Sequence, residues 1–250
     1  MPPTTVNVTE LFVSFQGEGL HAGRRQLFVR LGGCPLRCRW CDTPESLERG
    51  PFCRVFAPEG MRVLPNPLPL DRLDHEVRRL QELAPPLHAL AVTGGEPLAQ
   101  AEALVAWRVR SAVRLPVLLE TAGILPGRLE RVLPAVAIVS LDVKLPSNSG
   151  ERPRWEEHAE CIRLAVAAGR EVYVKMPVDG QTDPDEVARG ARLVAEIGRG
   201  VPLFLTPIAA PESATLTIDA GTLQAFHALA SRCHPDVRVL PQLHKVLGIP

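Results

Sequence analysis

The sequence carries no surplus of either charge: 28 Lys and Arg stand against 28 Asp and Glu in 250 residues. Without a net cationic footprint there is little to hold a polyanion, so a small-molecule substrate is expected and nucleic acid is not. The start, Met1-Pro2-Pro3-Thr4, lacks a cationic segment followed by an apolar stretch, so no secretory leader is expected. No apolar run reaches membrane-spanning length, and no membrane partner is expected. The chain is therefore expected in the cytoplasm, where thiols stay reduced. Three of its six cysteines, Cys53, Cys161 and Cys233, show no ligand spacing, and a reducing compartment argues against disulfides. Cys161 and Cys233 fall in helical patterns and read as small buried hydrophobes.

What is present is concentrated in one loop, Cys34-Pro35-Leu36-Arg37-Cys38-Arg39-Trp40-Cys41, which follows an apolar run and the pair Gly32-Gly33. A loop this tight cannot send its thiols into three separate cores, so they converge on one ligand. Soft thiolates select iron-sulfur clusters, zinc or cuprous ions. Structural zinc sites and electron-transfer clusters close their shells with four protein ligands, whereas this loop offers three and no neighbouring His. An iron without a protein ligand is a place for a substrate or cosubstrate. The competing readings are a zinc loop completed from a distance, or three unrelated thiols.

Along the chain, residues 6–15 read as a strand or extended arm leading to Gln16-Gly17-Glu18-Gly19, whose letters alone suit a turn. Residues 26–31 form a short apolar strand interrupted by Arg30, a fork that either pairs with a nearby acid or captures a carboxylate. Asp42-Thr43-Pro44 offers hard oxygens fit for magnesium, or a helix cap. The stretch from about 44 to 70 is Pro-rich and aperiodic, and reads as an irregular excursion. Residues 71–83 place Leu73, Val77, Leu80 and Leu83 on one helical face. A strand over 88–92 then ends in Thr93-Gly94-Gly95-Glu96-Pro97. Helices over 99–113, 128–133, 155–168, 183–197 and 220–232 alternate with strands over 117–120, 137–142, 171–178 and 201–206.

Six strands alternating with helices imply α/β architecture with a parallel sheet and right-handed crossovers. A single domain over 1–250 is expected, as an incomplete (β/α)6-type TIM barrel too short for eight units. The carboxyl ends of such strands form the working face. Here those ends hold the cysteine loop, Thr93 to Glu96, Glu120-Thr121-Ala122-Gly123, Asp142-Val143-Lys144, Lys175 and Thr206-Pro207. His244 and Lys245, near the end of the chain, either face solvent or cover the barrel mouth.

The cysteine spacing, with an aromatic residue before the last Cys, resembles the signature of radical S-adenosylmethionine (SAM) enzymes. More narrowly, the chain resembles the 7-carboxy-7-deazaguanine synthases of the queuosine and deazapurine pathway. The matching stretches are Phe15 to Gly19, Arg30, Gly33-Cys34-Pro35, Trp40-Cys41-Asp42-Thr43, Thr93 to Pro97, Glu120 to Gly123, and Gln242 with His244-Lys245. The resemblance implies a radical SAM lyase that converts 6-carboxy-5,6,7,8-tetrahydropterin to 7-carboxy-7-deazaguanine with loss of ammonia. It implies a 4Fe-4S cluster, S-adenosylmethionine and Mg2+ as cofactors, a flavodoxin or ferredoxin as reducing partner, and a homodimer.

Carried onto this sequence, the resemblance implies that Cys34, Cys38 and Cys41 hold the cluster and that the Thr43 hydroxyl holds Mg2+. Trp40, Cys41, Asp42, Gly95, Glu120, Asp142, Val143 and Lys144 would lie along the cosubstrate. Phe15, Gln16, Gly17, Arg30, Thr93, His244 and Pro250 would form the pterin pocket, with Glu18, Arg30 and Glu120 catalytic. Two elements depart from the pattern: Asp142-Val143-Lys144 stands where Ser-Pro-Lys is frequent, and Thr206-Pro207 where Gln-Pro is common. The first suits a glycyl-radical-enzyme activating protein, which stays open as an alternative, as does a non-catalytic iron-sulfur binding module.

Overall fold

The six expected strands all form and lie side by side in parallel. The structure, a computed structural model, describes residues 2–84, 86–210 and 213–249. Its strands are β1 (Thr5–Val6), β2 (Val8–Phe15), β3 (Arg25–Leu31), β4 (Phe52–Ala57), β5 (Gly60–Pro65), β6 (Leu68–Pro69), β7 (Ala89–Gly94), β8 (Val117–Thr121), β9 (Ile138–Asp142), β10 (Glu171–Val178), β11 (Leu203–Pro207) and β12 (Val237–Val239). Its helices are α1 (Leu70–Leu83), α2 (Ala101–Arg110), α3 (Pro126–Val132), α4 (Pro146–Ser149), α5 (Trp155–Ala167), α6 (Pro184–Ile197), α7 (Ala220–Ser231) and α8 (Leu243–Leu247).

Ten strands join one sheet in the order β12-β11-β10-β9-β8-β7-β3-β2-β4-β5. From β12 to β3 every neighbouring pair is parallel, the incomplete barrel that six βα repeats predict. The amino-terminal arm adds β2 antiparallel to β3. Two parts of the sheet were not legible beforehand. The excursion over 44–70 is not irregular: β4 and β5 form an antiparallel hairpin that continues the sheet from β2. Its alternation is real, with Cys53 and Val55 buried against the core, but Pro51, Pro58 and Pro65 mask it in the sequence. The other is β12, only three residues long.

Side chains alternate across the sheet, and the alternation separates two chemistries. On the helix side, Leu27, Val29, Leu90, Val92, Leu119, Leu141, Val174 and Leu205 pack against Leu73, Val77 and Leu80 of α1 and their counterparts on the other helices. Each such buried Leu or Val contributes about 1.5–3 kcal/mol relative to exposure. On the inner face, Ala89, Leu118, Ile138, Tyr173 and Phe204 plug the amino-terminal end. Two residues further along β8, β9, β10 and β11, and four further along β7, the inner face turns polar. Cys53 and Cys161 are fully buried, as a small hydrophobe would be, while Cys233 is half-buried at the core's edge. Among the described residues no helix is long and apolar enough to cross a membrane.

Candidate active site

The polar end of the inner face opens into a cavity of about 370 Å³. Strand register builds its rim, because Arg30, Thr93, Glu120, Asp142, Lys175 and Thr206 each follow the apolar inner residues of their own strand and all line the cavity.

The cysteine loop forms one wall. Gly33 N–H donates to Ser46 O at 2.8 Å and Cys34 N–H to Leu47 O at 2.9 Å, which ties the loop to the turn after it. Arg37 donates to the carbonyls of Cys34 and Leu36 at 2.6 and 2.8 Å. Leu36 anchors the loop in a small apolar cluster with Ala122 and Ile124. Cys34, Cys38 and Cys41 are free, half-buried and all face the cavity. Burial pushes the Cys34 thiol up to about 11. Burial raises Cys38 as well, against the opposing charge of Lys144. These two thiols ionise when a metal's positive charge replaces water, as metal-bound thiolates do.

No group of three His, Cys, Asp or Glu side chains among the described residues stands at single-ion spacing. Three convergent thiols, with the other cysteines packed elsewhere, fit a cluster that gives each thiolate its own iron better than they fit one zinc ion.

Opposite the loop, the turn after β7 comes very close. A Cβ on Gly95 would lie 2.5 Å from Ser46 O, 2.7 Å from Gly33 O and 2.9 Å from Cys34 Cβ, so only glycine fits. Gly94 has φ of +141° and the same constraint against Leu31. Glu96 turns inward and is fully buried, accepting from Leu98 N–H at 2.9 Å, Ala122 N–H at 2.8 Å and Thr121 Oγ1 at 2.8 Å. Burial raises its pKa against these donors, and it ties the ends of β7 and β8 together.

A second wall comes from β2 and β3. Cross-strand pairing sets Glu10 beside Arg30, Phe12 beside Phe28 and Ser14 beside Gln26. The two Phe rings stack at 4.9 Å, and the Arg30 guanidinium lies 5.5 Å from the Phe12 ring centroid. Glu10 accepts from Arg30 Nε at 2.7 Å and from Arg54 at 3.1 Å. Among the described residues the terminal nitrogens of Arg30 have no hydrogen-bond acceptor, so its fork stays available. Gln16 donates to Glu120 at 2.8 Å and to Gln26 at 3.2 Å, while Thr93 donates to Glu120 at 3.3 Å. Phe15 is half-exposed at the cavity mouth.

The third wall is ionic. Asp142 bridges Lys144 at 2.7 Å and Lys175 at 3.3 Å, and Lys175 also bonds Glu18. Burial opposes charge on these groups, yet their mutual attraction prevails: Asp142 is held below the usual carboxylate range, and both lysines are raised. The Lys144 ammonium sits 4.4 Å from the Trp40 ring centroid, and Trp40 Nε1 donates to Asn148 at 3.2 Å. Behind this wall, Lys144 N–H donates to the buried His158 at 3.2 Å. Val143 lies in the helix-side core, so its side chain is not in the cavity and only its main chain could meet a cosubstrate.

The carboxyl-terminal segment covers the mouth, so His244 and Lys245 line the cavity instead of facing bulk solvent. Leu243 N–H donates to Gly17 O at 2.9 Å, and Gln242 donates to Glu18 at 2.9 Å and Asp42 at 3.2 Å. His244 rests on Gly17 so closely that a Cβ there would lie 2.2 Å from its Nδ1. Burial works to raise Asp42, but His244 at 3.6 Å, with Arg30 and Lys245, holds it well below the usual range. Thr43 reaches the cavity with its hydroxyl accepting from Ser46 at 3.2 Å. Pro250 lies outside the described residues.

Sequence reasoning did not single out Glu10, Phe12, Phe28 or Gln26. The signal was there in the period-2 pattern of the two amino-terminal strands, but it becomes readable only once their register is known.

Comparison with known proteins accords with this geometry. A family model of the radical SAM superfamily matches residues 28–194. The chain is 36% identical over 243 residues to the 7-carboxy-7-deazaguanine synthase of Geobacter sulfurreducens, covering 96% of each. It is 32% identical over 254 residues to the protein of the same name from Methanopyrus kandleri, covering 98% of this chain and 95% of that one. The crystal structure of QueE from Escherichia coli superposes with a TM-score of 0.59 at 18% identity, over 97% of this chain and 96% of the other, which shows a shared fold. Three thiols on one loop, a glycine turn pressed against them and matches along nearly the whole length agree: the chain belongs to the radical SAM superfamily and, within it, to the 7-carboxy-7-deazaguanine synthase family.

Proposed function

We propose that this chain converts 6-carboxy-5,6,7,8-tetrahydropterin to 7-carboxy-7-deazaguanine with loss of ammonia, working as one partial-barrel domain in the cytoplasm. The observation that carries this reading is the joining, in one cavity, of three thiols with an Arg30 fork and a Gln16-Glu120-Thr93 cluster. Cys34, Cys38 and Cys41 would hold a 4Fe-4S cluster. When bound and reduced, that cluster supplies the electron that cleaves S-adenosylmethionine, and with it the radical that takes hydrogen from C6 of the pterin.

The chain's own residues bind and orient. Glu10 holds Arg30 Nε and leaves the terminal nitrogens to grip the substrate carboxylate as a planar pair. Glu120, steadied by Gln16 and Thr93, accepts hydrogen bonds from the pterin N–H groups. Glu18 is fixed by Lys175 and Gln242 at the opposite edge. Trp40, Asp42, Gly95 and the Asp142-Lys144 pair flank the cosubstrate, and Gly95 lets its polar end approach the main chain. Asp42 and Thr43 supply hard oxygens for Mg2+. His244 and α8 exclude water from above. The active form is a homodimer, and the electron comes from a flavodoxin or ferredoxin.

Asp142 and Lys144, from the element that suggested a glycyl-radical activating protein, are engaged inside the cavity with Lys175, which supports a role in the small-molecule site. Reconstituted, reduced protein incubated anaerobically with the carboxytetrahydropterin, S-adenosylmethionine and Mg2+ should release the deazaguanine acid and ammonia in equal amounts. If 5'-deoxyadenosine forms but the pterin returns unchanged, the substrate assignment is wrong.

A further inference from the structure

A chain of hydrogen bonds runs from the cavity to the amino-terminal end of the barrel. Glu120 accepts from Gln16 Nε2 at 2.8 Å, the same nitrogen donates to Gln26 Oε1 at 3.2 Å, and Gln26 Nε2 meets His88 Nδ1 at 3.1 Å. Gln16 is buried and Gln26 fully so, and a polar atom that loses its partner there has no bulk water to replace it. Beyond His88 the His21 ring centroid lies 4.6 Å away, and His21 Nε2 bonds the exposed Glu171 at 2.6 Å.

The cavity end of this chain fixes the sense of every bond in it. Glu120 takes part as an acceptor, so Gln16 must turn its amide nitrogen there, and Glu18 N–H donates to Gln16 Oε1 at 3.1 Å, which holds the same orientation. Gln26 then has to present its oxygen to Gln16 and its nitrogen to His88. His88 Nδ1 is therefore the bare, accepting nitrogen, and the ring's proton sits on Nε2. A protonated His88 has only donors to offer. It would lose Gln26 or turn that amide over, and a turned Gln26 aims its nitrogen at the Gln16 nitrogen. Were Gln16 to turn in response, its oxygen would face Glu120 and its nitrogen the Glu18 N–H.

We propose that His88 is a positioning residue for the substrate site: as a neutral acceptor it holds Glu120 in place through Gln26 and Gln16, and its protonation releases that hold. The inference rests on the reading that Glu120 binds the pterin. The ionisable groups around His88 are His21 and Arg24 from the turn between β2 and β3, and Glu171 at the start of β10. Arg25 O accepts the His88 main-chain N–H at 2.8 Å, and Tyr173 lies beyond His21, their ring centroids 6.0 Å apart. Burial first, then His21 and Arg24, lower the His88 pKa from 6.5, while Glu171 opposes them. The neutral form therefore prevails at neutral pH, and the hold is released only as pH falls below 6.5.

The test compares wild-type holoenzyme with His88→Asn, whose amide oxygen stands as many bonds from the main chain as Nδ1 and accepts without titrating, and with His88→Leu, which cannot accept. In NMR spectra of the isotope-labelled, oxidised wild type near neutral pH, the His88 ring should carry its proton on Nε2. The side-chain amide signals of Gln26 and Gln16 should move together as His88 titrates, and should stay still over the same range in His88→Asn. Binding of the carboxytetrahydropterin, read anaerobically by calorimetry without reductant, should weaken on acidification to about pH 5 by on the order of tenfold more in the wild type than in His88→Asn. In turnover, His88→Leu should raise the pterin KM several-fold at every pH and leave the S-adenosylmethionine KM where it was. A proton on Nδ1 in the wild type would overturn the inference, as would Gln16 signals blind to His88 or equal acid dependence of pterin binding in the wild type and His88→Asn. If the wild type binds no pterin at all, the substrate assignment fails, while the ring proton and the amide signals still judge the relay.

Discussion

His158 makes the fold acid-sensitive in a definable window. It is fully buried behind the ionic wall and accepts the Lys144 main-chain N–H at 3.2 Å. Burial first, and the nearby Lys144 charge second, push its pKa down from 6.5 to about 4. The unfolded chain therefore binds a proton below 6.5 that the folded chain refuses until about 4. Stability is full above the unfolded value, falls as pH drops from 6.5 towards 4, and loses nothing more from this group below that. Between pH 7.5 and 5 the loss integrates to about 2 kcal/mol. For a chain of this size that is a fall in Tm of roughly 5 °C. The assay is anaerobic thermal unfolding of holoenzyme and of His158→Gln, whose amide oxygen still accepts from Lys144. The variant should start less stable at pH 7.5 and lose about 2 kcal/mol less on acidification. Parallel pH curves for the two proteins would refute the reasoning, because the titrating group would then be elsewhere.

Cys34→Ala should abolish cluster assembly, read as iron and sulfide content near zero after reconstitution, since two thiolates cannot replace three. Arg30→Lys should raise the pterin KM roughly tenfold, because an ammonium loses the paired contact, with S-adenosylmethionine affinity unchanged. An unchanged pterin KM would remove Arg30 from the substrate site. Gly17→Ala places a methyl 2.2 Å from His244 Nδ1, so α8 must lift: pterin KM should rise and the carboxyl-terminal segment should become sensitive to protease. Full protection in that variant would mean that the tail is not held through Gly17.

The sequence exposed the parts of the site whose chemistry depends on spacing along the chain. Three cysteines in eight residues and the Gly-Gly-Glu-Pro string need no knowledge of neighbours to be read. The six parallel strands were legible for a similar reason, since each apolar run stops at a polar residue that marks its end. What stayed hidden depends on pairing across the chain. Glu10 was one acid in an arm until register set it against Arg30, and the partners of Glu96, Thr121 and Ala122, lie on another strand's end where the sequence does not point to them. The hairpin of β4 and β5 was lost because prolines, which mark its ends, also mark loops.

The same pairing accounts for the departure at Asp142-Val143-Lys144. Strand alternation turns Asp142 to the cavity and Val143 to the helix-side core, while Lys144, just past the strand end, returns to the cavity over Trp40. Lys175 on the neighbouring strand stands in register with Asp142, so the acid has two cations to satisfy and Lys175 reaches on to Glu18. With Ser in place of Asp142, Lys175 would keep Glu18, but the buried Lys144 ammonium would lose its one carboxylate partner among the described residues. Asp142 is thus required first by Lys144, and the element belongs to the internal charge balance of this cavity. Asp142→Ser should therefore lower the thermal unfolding midpoint, and adding Lys144→Met should recover part of that loss, whereas adding a neutral residue at Lys175 should not.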